Sequence, residues 1–277
     1  MTDNKAHLRI RTDLLPVYQG RGLPDQEAIV EGQVVRFVCI VEERYLSSRG
    51  GGLRPFDMGR KFMYFTQDAI SAVEFGEPFG YMEADDDFYS TIGALESMMM
   101  PCAIMSLLPA VLWLVSSPVG KLFLLRKTDK SGVGRLLGVI GERVGERYAE
   151  KGERKNDVLQ GIVESGLSRE EVEAEARVHI LGGTDTTAAA LRNAVFFLST
   201  RPAAYRRRQD KIDGAVGSVS RPVIADAECK ELSCLQAYIR ESMRMWPPIS
   251  GIQAKILDTD DVICGVKVPA GTHIAMG

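Results

Sequence analysis

Two short stretches hold residue types whose spacing could do chemistry. The first is Gly182-Gly183-Thr184-Asp185-Thr186-Thr187, inside a segment that reads as one long helix. Two adjacent glycines in a helix interior cost about 1 kcal/mol each relative to alanine, so something must offset them. Glycine lets a flat ligand reach the backbone with no side chain between. Thr186 follows Gly182 by four residues, and its hydroxyl can bond back to that carbonyl, bending the helix and opening a groove. Asp185 supplies an acid. A groove with an alcohol and an acid can pass protons to whatever binds beside it. The plain alternative is a contact of small residues between packed helices.

The second stretch is Glu241-Ser242-Met243-Arg244, followed by Pro247-Pro248. Glu241 and Arg244 are three apart and share a helix face. Alone, such a pair is an ordinary surface ion pair of little worth. The flanks, from Leu232 to Ile239 and from Met245 to Ile249, are largely apolar. They predict a buried pair, in which an arginine with five donors needs several acceptors.

The elements that position these stretches are mostly helices. Residues 25–47 carry Ile29, Val34, Val38, Val41 and Tyr45 at helical spacing. Asp57 can cap a helix running to about Glu74, Gly76 to Gly80 form a turn, and a helix is expected around 85–100. Residues 130–150 read as an amphipathic helix with Val133, Leu136, Leu137, Ile140, Val144 and Tyr148 on one side. Ser168-Arg169-Glu170-Glu171 is a capping box that opens the longest helix, which runs to about Thr200. Residues 202–214 and 232–246 are further helices. After Pro248, Ile252, Ala254 and Ile256, then Val262, Cys264, Val266 and Val268, read as short strands with turns at Asp260-Asp261 and Pro269-Ala270-Gly271. The fold class is thus mainly α with small β sheets. One partial domain is expected over 1–277, helical over 1–248 and in short strands over 249–277.

Composition excludes little. The chain has 277 residues, 45% hydrophobic and 26% charged, which is an ordinary globular balance. A net charge of -3 gives no reason to expect nucleic acid. Cys39, Cys102, Cys229, Cys234 and Cys264 fit neither a zinc site nor a disulfide framework, and read as reduced thiols of an intracellular protein. Met98 to Gly120 holds no charge but is interrupted by Pro101, Pro109 and Pro118. A buried helix–loop–helix, a patch dipping into a membrane, and a span all remain open for it.

Taken together, Gly182 to Thr187, Leu235-Gln236-Ala237…Glu241…Arg244-Met245-Trp246-Pro247-Pro248 and Val268-Pro269-Ala270-Gly271-Thr272 resemble the I helix, the K helix and the following strand turn of the cytochrome P-450 monooxygenases. Phe75-Gly76…Phe79-Gly80 resembles a segment after the E helix of fungal members, and His7-Leu8-Arg9-Ile10-Arg11 the end of the C helix. The likeness covers nearly all of the chain, from the end of helix C to just after helix K, and its flavour is that of fungal secondary-metabolism enzymes.

The resemblance implies roles. Asp185 and Thr186 match an acid–alcohol pair that delivers protons over a haem, and Gly182 and Gly183 match residues lying over the porphyrin. Arg11 matches an arginine on a haem propionate, His7 stands where a tryptophan is usual, and Lys255 where a basic residue meets the other propionate. For His7 and Lys255 a plain surface position is the alternative. Glu241 and Arg244 match a bracing pair. The implied cofactor is haem. The implied partners are NADPH-cytochrome P-450 reductase and a small organic, secondary-metabolite substrate oxidised with dioxygen, with membrane contact through 98–120. Such relatives sit at the endoplasmic reticulum membrane. The chain is expected to be an internal portion, without the N-terminal anchor and without the axial cysteine, so that no metal ligand is assigned and the chain alone is inactive. The rival readings are a non-catalytic remnant, an interaction protein, or a truncated gene model.

Overall fold

The computed structural model describes residues 4–21, 26–47, 51–108, 111, 113–114, 117, 129–149, 155–216, 223–249 and 253–276. Its helices are α1 (Asn4–Tyr18), α2 (Gln26–Tyr45), α3 (Met58–Phe75), α4 (Tyr81–Ala84), α5 (Thr91–Leu107), α6 (Gly132–Ala149), α7 (Val158–Glu164), α8 (Arg169–Ser199), α9 (Pro202–Val216), α10 (Asp226–Glu231) and α11 (Ser233–Met245). The strands are β1 (Gln253–Ile256), β2 (Asp261–Ile263), β3 (Val266–Val268) and β4 (His273–Met276).

The helix starts follow local chemistry. The Asp57 side chain accepts from the Arg60 amide, and Gly76 ends α3 in the left-handed region at φ 80°. Ser168 and Glu171 form the expected capping box of α8. The helix expected around 85–100 begins later, at Thr91. Asp87 explains the shift: its carboxylate accepts from the amides of Thr91 (2.7 Å), Ile92 (3.2 Å) and Gly93 (3.0 Å), while Asp85 and Ser90 take positive φ. Pro101 lies within α5 without ending it. The short helices α4, α7 and α10 were not expected. Each is too brief for a period to show, although Asp157 caps α7 by accepting from Gln160.

Two apolar clusters fill the interior. One joins Ile10, Leu14 and Val17 of α1 with Leu136, Ile140 and Val144 of α6, Leu159 and Ile162 of α7, and Val172, Ala176 and Ile180 of α8. The other joins Ile40 of α2, Phe62, Met63 and Tyr64 of α3, Tyr81 and Met82, Ile92, and Ala188 of α8. α3 and α8 run through both clusters and make the most extensive contact of any two elements. Their pairings, Glu74 with His179, Ile70 with Gly183, Gln67 with Thr184 and Met63 with Arg192, run in opposite chain directions, so the two helices are antiparallel.

β1 pairs antiparallel with β4, Gln253 opposite Met276 and Ile256 opposite His273. β2 and β3 form a hairpin. The run expected through Val262, Cys264, Val266 and Val268 is broken, because Cys264 (φ 51°) and Gly265 (φ 82°) form its tight turn. Ile252 lies outside the described residues.

The uncharged stretch is not buried where it is described. Met99, Met100, Ile104, Leu108 and Leu114 are exposed and Trp113 is 76% exposed. The buried helix–loop–helix reading fails for them. Among the described residues no helix is long and apolar enough to cross a membrane.

A buried ion pair joins Arg147 of α6 with Asp157, 6% and 1% exposed. Two parallel bonds of 2.8 and 2.6 Å join them. Removing one partner of such a pair leaves a buried charge, a loss of about 3–5 kcal/mol. Asp157→Ala is therefore expected to lower the unfolding free energy by about that amount in denaturant titration; a change under about 1 kcal/mol would mean the pair is solvated.

Candidate functional site

The middle of α8 carries the first of the two stretches, and its six residues face different ways. The Thr186 hydroxyl donates to the Gly182 carbonyl at 2.7 Å. A Cβ on Gly182 would meet nothing within 4 Å. Gly182 and Thr186, four apart, thus share an open face with no side chain between them and approaching ligand. α8 runs as one helix from Arg169 to Ser199, through this bond. The space at Gly182 comes from the missing Cβ, not from unwinding.

Gly183 does something else. A Cβ there would lie 2.8 and 2.9 Å from Ile70 Cγ1 and Cδ1 of α3. Its glycine is required for the close approach of two helices, which is the small-residue contact, and it does not share the open face. Thr184 is fully buried. Its Oγ1 lies 2.6 Å from the Gln67 side-chain amide and 2.7 Å from the Ile180 carbonyl. A hydroxyl has one proton. With that proton on the carbonyl, the amide must turn its N–H toward Oγ1, which also gives the buried Gln67 Nε2 the partner it otherwise lacks.

Asp185 is half-buried, its side chain 22% exposed, with one carboxylate oxygen 3.6 Å from Arg192 Nη2. Arg192 also reaches Met63 Sδ on α3 at 3.8 Å. The acid is thus held by a cation two turns along its own helix, yet remains open to water. Neither Gln67 nor Arg192 was singled out by the sequence reading, because Gln67 lies on another helix and Arg192 beyond the motif.

His7 and Arg11 are exposed on α1 and share a face at four-residue spacing. Lys255 is exposed on β1. Among the described residues none of the three has an acidic partner, unlike Arg9, which bonds Glu171 and pairs with Asp13 at 3.5 Å. The described residues contain no group of three or more His, Cys, Asp or Glu side chains arranged to hold a metal ion.

Glu241 and Arg244 do pair, through Nε–Oε2 at 2.8 Å and Nη2–Oε1 at 2.7 Å. They are not buried: the side chains are 57% and 67% exposed. The apolar flanks misled, because Met243, Met245, Trp246 and Ile249 are themselves exposed. The bond from Arg244 holds the Glu241 carboxyl below its ordinary value. Glu241 edges a cleft of about 380 Å³ with Phe197, Arg201, Cys234, Tyr238 and Met245, between the end of α8 and α11. Asn193 fixes α11 to α8 by donating to the Trp246 carbonyl at 2.8 Å.

Two comparisons of the chain with known proteins agree. The family model described as Cytochrome P450 matches residues 2–277. Cytochrome P450 monooxygenase aba1 of Botryotinia fuckeliana is 33% identical over 281 residues, covering 100% of this chain and 55% of that protein. Cytochrome P450 monooxygenase abl1 of Leptosphaeria maculans is 34% identical, covering 98% of this chain and 48% of its own length. Cytochrome P450 monooxygenase ABA1 of Pyricularia oryzae is 35% identical, at 94% and 52%. The chain spans about half the length of the curated relatives it matches.

The two glycines give opposite expectations. Gly182→Ala should raise stability by up to about 1 kcal/mol, since alanine is the better helix former and meets open space. Gly183→Ala should lower it by about 1–3 kcal/mol through overpacking on Ile70. Equal effects in thermal melts would overturn the assignment of faces. Arg244→Ala is expected to leave the melting midpoint of this chain within error of the parent, and a large drop would place the pair in the interior.

Proposed function

The chain belongs to the cytochrome P450 family, and from that premise we propose that the whole protein is a haem-dependent monooxygenase. It inserts one atom of dioxygen into a small organic molecule of secondary metabolism, with electrons from a reductase such as NADPH-cytochrome P-450 reductase. One observation carries the reading: the Thr186 hydroxyl is bonded to the Gly182 carbonyl on a face where nothing fills the missing Cβ.

The residues present fit haem in kind. A flat macrocycle needs a face without side chains, which Gly182 offers. Its two propionates need hydrogen-bond donors and cations, and the imidazole of His7 and the charges of Arg11 and Lys255 have no acidic partners among the described residues. Haem, when bound, supplies the iron at which dioxygen is held and reduced. The chain's own part is the proton supply. As the last station of a relay, the Thr186 hydroxyl would turn its one proton from the Gly182 carbonyl to the acceptor while its oxygen takes up the next. Asp185 can draw protons from water and pass them toward Thr186, and Arg192 holds its carboxylate in reserve at 3.6 Å. Glu241 and Arg244 would brace their own turn of α11, beside the end of α8.

The exposed apolar side chains of Met99, Met100, Ile104, Leu108, Trp113 and Leu114 support contact of this face with a lipid surface, at the endoplasmic reticulum for an enzyme fed by a membrane-bound reductase. The other reading of Gly182 to Thr187, helix packing alone, is favoured for Gly183 and Thr184 by their contacts with α3. It leaves Gly182 and Thr186 unexplained.

In the full protein, Thr186→Ala is expected to lower the product formed per NADPH consumed, with the balance of oxygen reduced to peroxide and water. Asp185→Asn should instead slow turnover, by about 10²-fold or more, the scale of a lost general acid. Unaltered coupling in Thr186→Ala would mean that the motif relays no proton here.

A further inference from the structure

One buried acid–base cluster lies outside the groove chemistry. Glu74, near the end of α3, is fully buried. Its Oε2 lies 2.7 Å from His179 Nδ1 on α8. Its Oε1 is buried with no hydrogen-bond partner among the described residues. The His179 ring packs edge-on to Tyr18 of α1, centroids 4.9 Å apart, and the Tyr18 hydroxyl donates to Glu175 at 2.8 Å. The Arg147–Asp157 pair of α6 and the α7 cap also acts on Glu74. The charged and titratable groups facing the pair are therefore Tyr18, Arg147, Asp157 and Glu175.

An acid left half-bonded in an apolar interior is costly as an anion. A proton shared with the imidazole makes the pair neutral overall. We propose that Glu74 and His179 are positioning residues whose shared proton fixes the register and rotation of α8 on α3, keeping Gly183 against Ile70 and Gly182 with Thr186 on the open face. His179 and Gly183 are four apart and share a face, so the polar pair and the close approach lie one turn from each other. The hydrogen bond between Gln67 and Thr184 closes the same interval from the other side.

The charge environment agrees in sign. Burial pushes the Glu74 carboxyl up, and the bond and charge of His179 only partly oppose it. Burial works to lower His179, but the bond from Glu74 and the charges of Glu74 and Glu175 outweigh it, so the imidazole sits above its ordinary 6.5. Both groups hold protons more tightly folded than unfolded, so their contribution is complete below the unfolded values. It is lost as pH rises through the raised value of His179. The pair titrates as a unit.

The importance of the open face rests on the function proposed above, but the test does not, since it is read without haem, dioxygen or turnover. The full chain is labelled with ¹³C in histidine and in threonine methyls, and His179 is assigned by His179→Gln. The His179 midpoint is expected above 6.5, with the Thr186 methyl shift following the same titration. In Glu74→Gln, burial is opposed by the charge of Glu175 alone, and the midpoint should fall below that of the parent. In His179→Gln, the pH step at Thr186 should vanish. A parent midpoint at or below 6.5, a midpoint unmoved by Glu74→Gln, or a Thr186 signal that ignores the titration would each overturn the proposal. Should Glu74→Gln not fold, the parent titration and His179→Gln decide alone. Intact titration with unaltered coupling in Thr186→Ala would defeat only the monooxygenase relay.

Discussion

The closeness of α3 to α8 is the constraint on which the rest depends. Both helices pass through both apolar clusters, so their separation sets the width of the interior on either side. That separation is limited by Gly183, where a Cβ would intrude on Ile70. Interiors packed at crystal-like density do not absorb an added methyl without moving something. If the helices parted at this point, the bonds from Glu74 to His179 and between Gln67 and Thr184 would lengthen together. Each would then leave a buried polar group unsatisfied. The contact, not the glycine's own flexibility, explains why a poor helix former stands in the middle of a helix 31 residues long.

Ends of helices and most of the α6 face were legible because their signals are local, whereas on α2 the expected Val38 is exposed and Ile40 is the buried residue. Asp57 and the Ser168–Glu171 box announce starts with side chains three residues away. Of the stripe expected on α6, Val133, Leu136, Ile140 and Val144 are buried, while Leu137 is only partly covered and Tyr148 is exposed. The Thr186-to-Gly182 bond was legible for the same reason, as a four-residue relation on one helix. What joins distant segments was not. Glu74 and His179 are 105 residues apart, and Gln67 and Thr184 117. A lone histidine between Val178 and Ile180 was the sign the sequence carried. The Glu241–Arg244 pair shows the converse error. Apolar neighbours along the chain were read as apolar neighbours in space, yet those side chains also face solvent here.

Ion pairs of similar geometry therefore mean different things. Arg147 with Asp157 and Arg244 with Glu241 both make two short bonds. The first links α6 to the cap of α7 without solvent, so neither charge can be lost alone. The second competes with water at every atom and restrains little beyond its own turn. Asp185 with Arg192 lies between them, at 3.6 Å and partly exposed. A looser, wetter pair is the one that can release its carboxylate to another partner, which a proton-resupplying acid must do.

The two buried carboxylates of α3 sharpen this point. Burial raises both, Asp68 as well as Glu74. Asp68, however, accepts from three backbone amides, Gly80 at 2.7 Å, Tyr81 at 3.0 Å and Met82 at 2.8 Å. Those donors belong to the turn leading into α4 and carry no proton that neutral pH can remove. Glu74, six residues on, has one side-chain partner and an unbonded oxygen. Its partner is the residue type that titrates near neutrality. Asp68 can thus hold its turn for as long as its own carboxylate stays ionised, while Glu74 can fix α8 only as long as the pair keeps its proton. α3 therefore carries one buried acid whose partners do not titrate near neutrality and one whose partner does. The sensitive one lies a single turn from the residues that present the open face.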